Sequence, residues 1–261
     1  MLKRLIINGD DFGFSEAFNY GVIHAFEHGV LTSTSLMSNM DGAVHAAALA
    51  KMHPRLCISQ HTNIVQGKCC CDPASIPSIA REDGSFYRST EYQGKGMGGT
   101  RIPDKEDVKR EARAQLERFK TLLGYYPVHM EGHSIGGETM MQGLFEVAQE
   151  YGIHCMTFLP EPQPGFIDVG YVFDAGYMDV LNSGEEKTEA FIAFLERIKD
   201  TGFETCAVHL HPGYVDATIM DNSTLVLPRC RDLQLLCDVR LAQWLGRNHI
   251  ELVRYDQIRA T

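Results

Sequence analysis

Short apolar runs alternate along this chain with longer stretches of helical period. Leu2 to Asn8 is one such run, and with Leu5-Ile6-Ile7 at its centre it reads as a buried strand. Ser15 can cap a helix whose inward face is Phe18, Val22, Ile23 and Phe26 and which stops at Gly29. Val30 to Met37, rich in Thr, Val and Leu, reads as a second strand, and Asp41 to Met52 as an Ala-rich helix. Leu56 to Ile64 is a third strand. Asp107 to Leu123 is the clearest helix: Val108, Ala112, Leu116, Phe119 and Leu123 share one face, and Gly124 follows as a stop. A strand leads into His129 and His133. A helix is expected over Gly143 to Tyr151, a strand over Ile153 to Leu159, a helix over Glu185 to Thr201 and a strand over Phe203 to Leu210. One helix from Asp232 to Asn248 and a strand from Ile250 to Tyr255 complete the pattern. Strands that alternate with helices predict an α/β fold with a parallel sheet, closed or open, and no linker composition divides the chain.

Two stretches break the rhythm. Val65 to Asp104 has little period and contains Gly94, Gly96, Gly98 and Gly99; so long an irregular segment is usually functional, and it reads as a mobile lid or a dimer arm. Pro160 to Asp179 is a second long loop.

The chemistry sits where the apolar runs end. Leu5-Ile6-Ile7 passes directly into Asn8-Gly9-Asp10-Asp11-Phe12-Gly13. A carboxylate at the end of a buried strand loses water and needs a metal, a hydrogen-bond network or a substrate in compensation; a turn is the plainer alternative. Neighbouring residues on a strand face opposite ways, so one of Asp10 and Asp11 can reach a given ion and the other is free to take a proton from water. His61, the pair His129 and His133, and His211 before Pro212 also fall at predicted strand ends, where parallel α/β folds bind ligands. On an extended strand His129 and His133 would stand about 13 Å apart at about 3.3 Å per residue. His133 is then the better ligand, and His129 packs nearby. His209 shares a strand face with His211. Glu131 can orient a ligand histidine. Asp11, His61 and His133 would leave positions open on a divalent ion, as in a hydrolytic centre. The other histidines, His24, His28, His45, His53, His154 and His249, carry no such signal.

Composition narrows the partners. The 261 residues are an ordinary length for a single α/β barrel, and 44% hydrophobic content is ample for its core. A net charge of −10 argues against nucleic acid or an anionic membrane as the main partner, though not against a small anionic ligand. No apolar stretch is long enough to span a bilayer. Met1-Leu2-Lys3-Arg4 leads into a strand instead of a secretory apolar region, so a cytoplasmic location is expected. Cys57, Cys155 and Cys206 lie in apolar runs, and Cys230 and Cys237 flank the start of a helix; Cys69-Cys70-Cys71 lacks the paired spacing of a zinc cluster, so reduced thiols are expected.

Taken in order, these motifs resemble the YdjC-like carbohydrate deacetylases, which include chitooligosaccharide deacetylases. The resemblance rests on Asn8 to Gly13, Asn19-Tyr20-Gly21, Leu31 to Met37, Gln60-His61, His129 to His133 and His211-Pro212-Gly213-Tyr214. It implies a single-domain, distorted, TIM-like β/α barrel over residues 1–261, with its metal site at the C-terminal ends of the strands. It further implies removal of N-acetyl groups from small sugars and one divalent ion (magnesium by resemblance, with zinc or another transition metal as alternatives); the homodimer is expected separately, from the length of the irregular segment after Val65. It carries over Asp11, His61 and His133 as ligands, Asp10 as base and His211 as acid. The chain departs from the family's pattern in carrying Glu131 for an aspartate, in lacking two further histidines after His133, and in lacking an arginine near Met156. Two competing expectations are a glycoside hydrolase acting on a phosphorylated or plain disaccharide, with Asp10 paired to Glu131 or Asp216, and a sugar-binding protein without turnover.

Overall fold

The structure is a computed structural model that describes residues 1–94, 98–156, 163–171, 180, 184, 187–200 and 202–260. Its strands are β1 (Arg4–Phe12), β2 (Ser33–Leu36), β3 (Cys57–Thr62), β4 (His129–Gly132), β5 (His154–Cys155), β6 (Gly170–Tyr171), β7 (Thr205–Leu210) and β8 (Glu251–Leu252). All pair in parallel, in the order β5-β4-β3-β2-β1-β7-β6. β8 lies beside the start of β1, Arg4 opposite Glu251, while β2 takes up β1 only from Asn8 onward. Among the described residues β5 and β6 do not pair, so the barrel is distorted and open on that side.

The helices are α1 (Glu16–His28), α2 (Ala43–Met52), α3 (Lys105–Leu123), α4 (Glu138–Tyr151), α5 (Lys187–Ile198), α6 (Ala217–Asn222), α7 (Leu227–Leu236) and α8 (Val239–Arg247). Leu5 and Ile7 of β1 and Val208 of β7 pack with Phe18 and Val22 of α1 and with Phe191 and Leu195 of α5. Ile6, between them in sequence, belongs to a different cluster with Ala207, Tyr255 and Ile258. The period of two therefore assigns Leu5 and Ile7 to the helices, and Ile6, Asn8 and Asp10 to the concave interior. That interior is polar at its upper end, where Asn8, Asp10, His61, Glu131 and His209 are all buried.

The expected caps are present. Ser15 Oγ accepts from Phe18 N at 3.2 Å, and Gly124 closes α3 with φ of +91°. The expected helix from Asp232 to Asn248 is two helices: α7 begins at Leu227, and the chain breaks at Cys237 and Asp238, whose carboxylate caps α8 by accepting from Arg240 N. α4 starts at Glu138, earlier than its apolar period suggests, and α6 was not anticipated. The last strand is limited to Glu251–Leu252, because Tyr255 to Gln257 turn into a short 3-10 helix. In the second long loop the short β6 appears; residues 157–162 and 172–179, on which both ends of that loop and the end of the fifth expected strand fall, lie outside the described residues, as do 185 and 186 at the expected start of α5.

Val65 to Asp104 is irregular but packed. Ile76, Ile79, Phe86 and Tyr92 share a core with Val108 and Leu116 of α3 and Leu144 of α4. The fully buried Glu111 holds the Cys69 to Cys71 turn, accepting from Cys70 N at 2.9 Å and Cys71 N at 3.2 Å. Cys57, Cys155 and Cys206 are buried, as their apolar runs predict. Within the glycine-rich piece, residues 95–97 lie outside the described residues. Among the described residues no helix is long and apolar enough to cross a membrane.

Candidate active site

β1 delivers both of its acidic residues to one pocket, against strand alternation. Asp11 has φ of +69°, and the register between β1 and β2 shifts between Gly9 and Phe12. This irregularity turns Asp11 into the same cavity as Asp10, while Phe12 returns to the helix-facing core. The cavity is about 500 Å³ in volume; its floor is Asp10, Asp11, His61, His133, His211 and Arg229. Gln66, Arg81, Phe86 and Arg88 of the irregular segment form one wall, so that segment covers the site.

Asp11, His61 and His133 converge. Asp11 Oδ1 lies 3.1 Å from His61 Nε2 and 2.9 Å from His133 Nδ1, and the two ring nitrogens are 3.1 Å apart. With Asp11 ionised, as its lowered pKa makes it, no placement of the ring protons satisfies this triangle, because one edge always faces donor to donor or acceptor to acceptor. Asp11 Oδ1 is buried and left without a hydrogen-bond partner. A divalent ion resolves both problems: three donors at adjacent octahedral positions with bonds of about 2.1 Å stand about 3.0 Å apart. The donor set therefore fits a divalent cation, and its mixed nitrogen and oxygen chemistry suits several.

The charges around these groups are set by their neighbours. Burial pushes the Asp11 carboxyl up, but His133 and Arg229 hold it well below the usual carboxylate range. Burial pushes His61 down, and its contacts with Asp11 and Glu131 outweigh that and raise it. His133 is lowered by burial. Glu131 Oε1 stands 3.1 Å from His61 Nδ1, behind the ligand ring. Glu131 is fully buried, and the side chain of Asp216 caps α6 through Ile219 N. Neither faces the cavity as the partner carboxylate a glycoside hydrolase would need.

Asp10 is held from behind. Its Oδ1 accepts from Asn8 Nδ2 at 2.7 Å and lies 3.0 Å from His209 Nδ1, and its Oδ2 is 4.0 Å from His211 Nε2. His211 stands just past β7, its backbone N–H donating to Asp232 Oδ2 at 2.8 Å; Asp232 in turn pairs with the buried Lys187. His129 packs: its ring stacks on Tyr255 with centroids 3.6 Å apart, and Nε2 is 3.2 Å from the Tyr171 hydroxyl.

One residue escaped the sequence reading, and a second was named there without a role. Arg229, at 2% exposure, is a buried cation whose Nη1 meets Asp11 Oδ2 at 2.8 Å and whose guanidinium lies over Phe14 and Phe18. Nothing in α7 distinguishes it from other arginines. His209, two residues before His211 on the interior face of β7, is a second buried group at the site; its position on that face was a signal that spacing alone could have raised further. Burial pushes it down, but Glu131 and Asp10 bring it up to about 10.

The sequence profile of the family described as YdjC-like protein matches residues 4–247. A carbohydrate deacetylase of Geobacillus stearothermophilus is 33% identical over 260 residues, covering 98% of each chain. A chitooligosaccharide deacetylase of Serratia marcescens is 34% identical over 247 residues, covering 90% of this chain and 91% of its own. In fold, the chain matches the crystal structure of a putative cellobiose-phosphate cleavage protein from Enterococcus faecalis with a TM-score of 0.84 at 23% identity, over the full length of both chains. A family 4 carbohydrate esterase from Streptomyces lividans, solved with acetate, matches with a TM-score of 0.52 at 12% identity over 99% of this chain and 97% of that one. Those two likenesses are ones of fold. The profile match along nearly the whole chain, and the relatives' identity over almost all of theirs, place this chain in the YdjC-like protein family.

Proposed function

We propose that this chain is a metal-dependent hydrolase that removes N-acetyl groups from small acetylated sugars, and that residues 1–261 work as one deacetylase domain. The observation that carries the reading is the convergence of Asp11 Oδ1, His61 Nε2 and His133 Nδ1 within 3.1 Å of one another, beside Asp10 and His211 in one covered cavity. The names of the relatives, carbohydrate deacetylase and chitooligosaccharide deacetylase, support the substrate class.

Asp11, His61 and His133 would hold the ion. When bound, a divalent ion lowers the pKa of water and polarises the acetamide carbonyl. Asp10, anchored through Oδ1, presents Oδ2 to accept a proton from the attacking water. The water oxygen joins the carbonyl carbon, and the C–N bond breaks as His211 Nε2 donates a proton to the leaving amine. Acetate and an amino sugar result. Magnesium is the ion the family resemblance implies, and a homodimer in the cytoplasm is the state in which the enzyme would work.

The test is acetate release from a panel of N-acetylated mono- and disaccharides, using metal-stripped protein reloaded with magnesium or zinc. Metal-dependent acetate release is expected. Cleavage at the reducing end, or sugar binding without either product, would replace this reading.

A further inference from the structure

The cluster behind Asp10 is larger than a proton acceptor requires. Asn8 Nδ2 donates to Asp10 Oδ1 at 2.7 Å and to Glu131 Oε1 at 3.2 Å. His209 Nδ1 lies 3.0 Å from both Asp10 Oδ1 and Glu131 Oε2, and His209 Nε2 is 3.0 Å from the Tyr255 hydroxyl. Two buried carboxylates thus face the same imidazole and the same amide: Asp10 through hydrogen bonds, and Glu131 Oε2 through the 3.0 Å approach of His209 alone, since it has no hydrogen-bond partner of its own among the described residues. Without a cation between them they repel, and each loses its fixed direction. Glu131 also stands 3.1 Å from His61 Nδ1, so one chain of contacts runs Asp10, His209, Glu131, His61.

We propose that His209 is a positioning residue for the reaction: as the internal cation between Asp10 and Glu131, it aims Asp10 Oδ2 at the cavity. The inference rests on Asp10 as the base. His209 itself is 2% exposed and does not line the cavity, so it acts through Asp10 and not on substrate. The raised basicity of its ring agrees with a resident positive charge. Asp10, Glu131 and His209 are also close enough to hold a metal. However, the His209 ring and the Asn8 amide already fill the space with donors, which favours a protonated imidazole there.

The variants His209→Leu, His209→Asn and Asp10→Asn, and the double variant Asp10→Asn/His209→Leu, test this. His209→Leu should lower kcat at saturating metal by about 10–100-fold, the usual effect of removing an outer partner, with KM unchanged. His209→Asn, which places a neutral donor near the position of Nδ1, should recover part of the loss and serves as the informative variant if the leucine protein does not fold. The double variant should turn over no more slowly than Asp10→Asn alone, because the lost interaction is the same one. Calorimetric titration of the metal-stripped proteins should give one ion per chain in the parent and in His209→Leu, with affinity changed by less than about threefold since the Glu131 to His61 contact remains. Multiplicative losses in the double variant, parental kcat in His209→Leu, or a second ion that His209→Leu abolishes would each overturn the proposal. Parental kcat in Asp10→Asn would instead remove the base on which it rests.

Discussion

Asp10 and Asp11 are neighbours with different partners, and that difference predicts different phenotypes. Asp10 lies against Asn8 and His209 and faces the cavity, whereas Asp11 lies against His61, His133 and Arg229. Asp10→Asn and His211→Ala should leave metal affinity nearly intact and slow turnover by about 10²–10⁴-fold, the range for a positioned base or acid. His61→Ala should weaken metal binding first and regain activity at high metal. Calorimetric titration beside acetate-release rates separates these outcomes; lost metal binding in Asp10→Asn would make it a ligand. Arg229 offers a second contrast. Arg229→Met leaves Asp11 as a buried carboxylate without its 2.8 Å partner, which costs about 3–5 kcal/mol when nothing compensates. Thermal denaturation should show a large loss in the metal-stripped variant and a smaller one at saturating metal. An equal loss in both states would mean that Arg229 supports packing against Phe14 and Phe18 and not the carboxylate.

At the scale of elements, two motifs far apart in sequence explain one another. Asn19-Tyr20-Gly21 lies on α1, and Pro212-Gly213-Tyr214 follows β7. A Cβ added at Gly21 would lie 2.4 Å from Tyr214 N and 2.5 Å from Gly213 Cα, and one at Gly213 would run into the ring of Phe18. The two glycines let helix and loop meet backbone to backbone, directly after His211. Asn19 adds a tie at the other end: it accepts from Gly13 N and donates to Gly42 O. Gly21→Ala should therefore push the loop away from α1, destabilise the protein by about 1–3 kcal/mol as overpacking does, and lower kcat through misplacement of His211. Denaturant unfolding and kinetics on the same preparation check this. Full activity with reduced stability would separate the loop's position from the chemistry.

At the scale of the whole molecule, the interior of the sheet is polar and buried, so acid should unfold the protein partly through histidines that must charge. His154, 3% exposed beside Phe166 and His129, is pushed by burial down to about 4. A histidine with a depressed folded value stabilises the neutral-pH structure fully above its unfolded value of about 6.5. That stability is lost as pH falls toward about 4, up to about 3 kcal/mol in all. His154→Gln should flatten the dependence of stability on pH between those limits, read from unfolding at a series of pH values. An unchanged slope would assign the acid sensitivity to other groups. The segment from Val65 to Asp104 also acts at this scale: it roofs the cavity and shares a core with α3 and α4. Sedimentation at micromolar concentration should show the proposed dimer; a monomer with full activity would leave this segment as a roof alone.

Local pattern carried much of this protein. The apolar run of β1, the Ser15 and Gly124 caps, and the strand-end positions of Asp10, His61 and His211 follow from period and side-chain chemistry, which act over a few residues. Three things depended on tertiary structure. The turn of Asp11 into the cavity requires a φ of +69° that strand alternation argues against, and the pairing of β1 with β2 accommodates it. The burial of Arg229 against Asp11 joins residues 218 apart, and no local signal specifies such a contact. The site of His209, between two carboxylates from β1 and β4, exists only because the sheet order brings β7 beside β1 and curves β4 toward them. Side-chain identity and spacing place candidate groups at strand ends; the order, curvature and irregularities of the sheet determine which of them meet.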